Sequence, residues 1–332
     1  MGKRGIGLTV ENLTEDQIVD MVLLAGVNEF SNRKKTITDS TLHWAKFVCS
    51  VADDLNLEIT RSWYKMGQYV WSDRLNMDRV FQLAGTLQTD KYPDPQDIFK
   101  LVTGKASNLY RQIQTSAETR FEMFWKRTFD LRKELYLKEA GKEFSNLYLA
   151  ELDFEEALDR IIKADWSATV RLDGGSLSRK VSQLHMSLLK GRIDEDCADA
   201  VIEASSLLEL MIMKYNTESV SNDSWKCNWL SRFEELVDLY KNQVWTFPAS
   251  QITIETICGP SSSSVVHTMM NKMKQSREFV GSSIGPLRSS LLSEGLIPTI
   301  EELDVRLTKK REEDRAEFDN VYHAAALYLR PR

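Results

Sequence analysis

With 332 residues, 28% of them charged and 42% hydrophobic, the chain has the apolar content of an ordinary globular protein and no composition that favours wholesale disorder. Its formal net charge of -6 excludes a general nucleic-acid coat, which needs many cations to neutralise phosphates, although a local basic face is still allowed. That length accommodates two domains or one continuous helical core.

The first helix is announced by Thr14 as a cap, Gln17 reaching back to it, and Leu13 stapling onto Ile18. Ile18, Met21, Val22 and Ala25 follow the spacing of one buried face, and the helix is expected to run to about Val27. A polar connector, Ser31 to Lys35, leads to a second helix capped by Asp39 or Ser40. In that helix Leu42, Ala45, Cys49 and Ala52 share a face that Trp44, Phe47, Val48 and Val51 widen. After Asn56 the preference changes to β-favouring residues from Ile59 to Trp71, with Gly67 placed where a turn needs positive φ. This segment is predicted to be an aromatic hairpin. A third helix is expected over Asp78 to Leu83, and Tyr92, Pro93 and Pro95 then break the pattern. A domain boundary is placed there, giving residues 1–90 and 91–332.

The remainder reads as a helical bundle. Its longest predicted helix runs from Ser116 to Ala140, with Phe121, Phe124, Trp125, Thr128, Leu131 and Leu135 as its stripe and Gly141 as its stop. Further helices are expected over Phe154–Ala164, Ser176–Lys190, Asp194–Tyr215 and Trp225–Lys241, with Gly191 separating two of them. Pro248 and Pro260 bracket Ser250 to Cys258, whose isoleucines suggest a short strand or a buried loop. Thr299 and Glu302 form a second capping box for a final helix to about Leu329, charged all round between Lys309 and Glu317. No fixed-period repeat is visible, which argues against a solenoid.

Motifs for chemistry are sparse. Cys49, Cys197, Cys227 and Cys258 are too dispersed for a zinc knuckle or redox pair, and His43, His185, His267 and His323 lack the i, i+4 spacing of a helical metal site. Neither a metal nor a cofactor is expected. The Gly-containing stretches at Asp173–Lys180, Gly259–Ser264 and Gly281–Ser289 lack the strand and lysine of a phosphate loop. At the first of them, a turn and helix cap explains Gly174, Gly175 and Ser176 better than an anion held with Arg179 and Lys180. His43, among apolar residues, reads as a satisfied boundary histidine. Ser261 to Ser264 near His267 lack the G-x-S-x-G elbow of a nucleophile, so no catalytic residue is assigned. The opening residues lack a signal-peptide core, and no segment approaches the roughly 18 apolar residues of a membrane span. A cytoplasmic protein with no membrane partner is expected.

The hairpin is the best candidate site. Arg61, Lys65 and Arg74 lie among Trp63, Tyr64, Tyr69 and Trp71, the mixture a wing uses on a phosphate backbone or, through its aromatics, on a protein. On Leu42, Lys46, Phe47, Trp63, Tyr64 and Gly67 the N-terminal part resembles a winged-helix-like module of uncharacterised archaeal proteins and, more remotely, Panacea-type antitoxin domains. Gln68 stands where those domains commonly have proline after the glycine. The resemblance covers about 85 residues and implies a mainly α protein with a winged-helix-like domain and a binding role. The expectation is therefore an intracellular binding or regulatory protein acting on a protein partner or DNA through Arg61, Trp63, Tyr64, Lys65, Gly67, Tyr69 and Arg74. An enzyme with a scattered site in the helical domain and a structural assembly subunit are the alternatives. Oligomeric state is not legible.

Overall fold

The structure, a computed structural model, describes residues 13–89, 102–104, 106–138, 142–166, 172–218 and 223–303. It is mainly helical with one two-stranded sheet. Helix α1, Glu15–Asn32, begins with the expected capping box, Gln17 N donating to Thr14 Oγ1 at 3.3 Å and Thr14 N to Gln17 Oε1 at 2.9 Å. It ends five residues beyond Val27 because its apolar face continues to Phe30. Helix α2, Thr41–Leu55, is capped by Ser40 and ends where Asn56 turns left-handed at φ 50°.

Strands β1, Arg61–Tyr64, and β2, Gly67–Val70, pair antiparallel with Tyr64 opposite Gly67, so the hairpin forms where the hydrophobic period changes. Lys65 and Met66 make the turn without positive φ, and the left-handed step falls on Gly67 at φ 86°, the arrangement of a glycine bulge. Helix α3, Met77–Thr89, follows. Among the described residues there follow α4, Ser107–Arg120; α5, Thr128–Lys138; α6, Lys142–Ile162; α7, Gly174–Lys190; α8, Glu195–Thr217; α9, Asp223–Leu239; α10, Thr246–Thr256; and α11, Ser262–Ser293.

Two sequence expectations need correction. The helix expected from Ser116 to Ala140 is two helices, α4 and α5, separated by a 3-10 turn at Phe121–Trp125. Phe121 and Phe124 are drawn into one apolar cluster with Phe30 and Trp44, whereas Leu131 and Leu135 pack elsewhere, and a straight helix cannot serve both. The stretch Ser250 to Cys258 is not a strand or loop up to Thr256 but most of α10, with Pro248 tolerated in its first turn and Ile252 and Thr253 buried. Of the other glycine-containing stretches, Gly259–Ser264 leads into α11 and Gly281–Ser289 lies within it, Pro286 included. The capping box of Thr299 and Glu302 forms as expected, and the continuation to about Leu329 expected from sequence, with Lys309–Glu317 and His323, lies outside the described residues.

Two large apolar clusters fill the interior. One joins α1, α2, Ile59, Val70, α3, α4 and Phe124; the other joins Trp63 and Tyr136 to helices α6 through α11. The hairpin contributes to both. The first cluster runs through α4 to Phe124, past the boundary placed near residue 90, which itself falls outside the described residues.

Candidate functional site

Strand alternation sorts the hairpin residues into two sets. Arg61, Trp63, Gln68 and Val70 occupy opposed positions of the register and face inward. Arg61 pairs with Asp53 at 2.8 Å and donates to the Leu57 carbonyl at 3.0 Å, while its backbone exchanges hydrogen bonds with Cys258. Trp63 packs against Tyr136 and Tyr148 with ring centroids 5.7 and 5.3 Å away. Its N–H donates to Thr256 Oγ1 at 3.0 Å, and its carbonyl accepts from Thr253 Oγ1 at 2.8 Å. Helix α10 thus extends the sheet edge with side-chain hydroxyls in place of a third strand.

The turn is seated just as firmly. The Tyr64 carbonyl accepts from the Tyr148 hydroxyl at 2.9 Å and the Lys65 carbonyl from Trp245 Nε1 at 3.2 Å. A Cβ on Gly67 would sit 2.4 Å from Tyr136 Cε1, so glycine is required there by contact as well as by φ. The fully buried Lys46 donates to the Gln68 carbonyl from α2, and Gln68 Nε2 donates to Asp53 Oδ2 at 2.5 Å. In the sequence the only signal for Lys46 is a lone charge on the apolar face that Leu42 and Cys49 share.

Below the turn lies a buried ionic network. Arg132, on α5, donates to Glu155 at 2.7 Å, to Glu151 at 3.4 Å and to the Tyr136 hydroxyl at 2.9 Å; Lys241 pairs with Glu155 at 3.6 Å and with Asp159. Burial, then the neighbouring Glu155 carboxylate, push Glu151 up to about 8 against the opposing Arg132, Lys241 and Lys65 charges. Burial also lowers Lys65, against the fields of Glu151 and Glu155. No sequence motif marks this network, because its members come from three separated segments.

The outward face carries Tyr64, Tyr69 and Trp71, all half-buried, with Tyr64 and Tyr69 centroids 5.4 and 5.2 Å from Trp71. Lys272 Nζ, from α11, lies 5.5 Å over the Tyr64 ring. Burial raises both tyrosine hydroxyls. Beside Tyr69 and Trp71 opens a cavity of about 520 Å³, closed on the far sides by the starts of α1 and α11. Arg74 is exposed, 3.8 Å from Asp20, whose carboxylate is already gripped by Arg79 at 2.5 and 2.8 Å. Arg61, Lys65 and Arg74 therefore do not form one basic strip: Arg61 is turned inward and paired, Lys65 sits over the ionic network, and Arg74 leans on α1.

Elsewhere the sequence candidates resolve simply. Asp173 Oδ1 accepts from Ser176 N at 2.9 Å, so the start of α7 is capped by its own carboxylate. His43 is satisfied by Ser40 Oγ at 2.7 Å and the Lys126 carbonyl at 2.9 Å. Among the described residues all four cysteines are free thiols, no group of three or more His, Cys, Asp or Glu side chains is placed to hold a metal, and no helix is long and apolar enough to cross a membrane.

These features define a mainly helical protein with a small antiparallel hairpin embedded between two apolar clusters. Residues 11–317 match the model of a domain of unknown function, DUF8098, and the chain belongs to that family. No curated protein and no solved structure matches it.

Proposed function

We propose that this is an intracellular binding or regulatory protein whose N-terminal part is a winged-helix-like module, and that it engages a protein partner through the outward hairpin face. The order α1, α2, hairpin, α3 and the resemblance to winged-helix-like and Panacea-type modules support the module. The observation that carries the choice of partner is the separation of the hairpin's arginine from its aromatics: Arg61 is neutralised on the inner face, whereas Tyr64, Tyr69 and Trp71 stay half exposed on the outer one, the last two lining a cavity. Aromatic anchors in a concave surface concentrate interface energy, while DNA binding needs several free cations on one face.

Fluorescence anisotropy with labelled duplex DNA, at low and at physiological salt, separates the two partners. The expected result is no measurable association even at low salt. Association that weakens steeply with salt and drops on replacing Lys65 and Arg74 by Ala would replace this reading with DNA binding.

A further inference from the structure

Resting on that reading, we infer that the cavity beside the hairpin receives a cationic side chain, the ammonium or guanidinium of a lysine or arginine in a basic segment of a protein partner. Its walls are two aromatic rings, Tyr69 and Trp71, and its rim carries three carboxylates, Glu15, Asp16 and Asp73. Among the described residues, no lysine, arginine or histidine lines it. A cation entering here meets the two aromatic side chains on one side and negative charge on the other, the combination that favours ammonium and guanidinium groups.

Two details single out this chemistry over a purely apolar anchor. The same aromatic ladder already accepts one cation from within the chain, Lys272 over Tyr64, and among the described residues none lies over Tyr69 or Trp71. The carboxylates also differ in their duties. Glu15 is committed to the fold, accepting from Thr60 N at 2.6 Å, Thr60 Oγ1 at 2.9 Å and Ser261 Oγ at 3.1 Å, so its carboxylate is held in place at the cavity rim. Asp16 takes one hydrogen bond, from Ser72 Oγ at 2.9 Å, and Asp73 is exposed. Both keep acceptor capacity for an incoming donor. The volume admits a long side chain together with its flanking residues, not a folded element.

Random dodecapeptides displayed on phage and selected on the full chain test this without knowledge of the natural partner. The expected outcome is enrichment of lysine- and arginine-bearing peptides whose affinity, measured by anisotropy of a labelled synthetic copy, falls about tenfold in Trp71→Ala. A smaller drop is expected in each of Asp16→Asn and Asp73→Asn, with weakening as salt rises. Glu234→Gln and Glu278→Gln, exposed acids on α9 and the second half of α11, should leave affinity unchanged. Circular dichroism checks that each variant folds, and the two isosteric Asp→Asn changes keep the test decisive if Trp71→Ala does not. If the enriched peptides are apolar or acidic yet still depend on Tyr69 and Trp71, the docking face stands and the cationic inference fails. If no peptide is enriched, or binding responds equally to the distant acids, both fail.

Discussion

Replacing Gly67 by Ala tests whether the hairpin is pinned by its glycine. A methyl there would lie 2.4 Å from Tyr136 Cε1 and 3.1 Å from Trp63 Cζ3, on a backbone held at φ 86°. The left-handed conformation costs an L-residue about 1–2 kcal/mol, and forcing a methyl into a packed site costs about 1–3 kcal/mol more. Tyr136 cannot retreat cheaply: it is fully buried, its hydroxyl accepts from Arg132, and its ring meets both Trp63 and Tyr148. The expected loss is therefore roughly 2–5 kcal/mol. For a chain of this length that corresponds to a drop of roughly 4–10 °C in Tm, at about 2 °C per kcal/mol. Thermal denaturation followed at 222 nm measures it. Gly67→Asn separates the two contributions, because asparagine tolerates positive φ but brings the same Cβ; contact as the larger cost makes Asn no better than Ala. Gly281→Ala on α11, where a Cβ meets nothing within 4 Å, should instead be neutral or stabilising by up to about 1 kcal/mol. A Gly67→Ala protein within about 0.5 kcal/mol of the parent, the scatter of ordinary surface changes, would refute the packing argument.

Two further outcomes follow from the buried charges. Since Glu151 is held up to about 8 in the folded state, above its ordinary value of 4.5, folding takes up a proton between these limits. The stability this provides is complete below about pH 4.5 and is lost as pH rises through about 8. Glu151→Gln, which cannot ionise, should accordingly melt higher than the parent at pH 8 and lose that advantage toward pH 5; an advantage independent of pH would contradict the assignment. On α3, Arg79→Ala strands the buried Asp20 carboxylate and should cost about 3 kcal/mol in urea denaturation. Arg74→Ala, which removes only an exposed contact at 3.8 Å, should cost under about 0.5 kcal/mol.

Local patterns in the sequence determined several elements on their own. The two capping boxes, the α2 face, the hairpin with its glycine, and helices α7, α8 and α9 were legible because each depends on residues within a turn or two of one another. What remained illegible depends on partners far along the chain. Phe121 to Trp125 leave the helix because Phe30, Trp44 and Phe47 collect Phe121 and Phe124. The β-branched run in α10 becomes helical because its inner face is buried against β1 and the following helix, a gain that outweighs residue preference. Gly281, Gly285 and Pro286 carry no helix signal of their own yet lie inside α11, where packing of Val280, Ile284 and Leu291 carries the helix through. The aromatic and basic residues of the hairpin could be named from sequence as a candidate site, but not their division between its faces. Alternation dictates that division only once the tertiary fold has chosen which side is inward, and here α2 and α10 place Arg61 and Trp63 inside and leave Tyr69 and Trp71 beside the cavity.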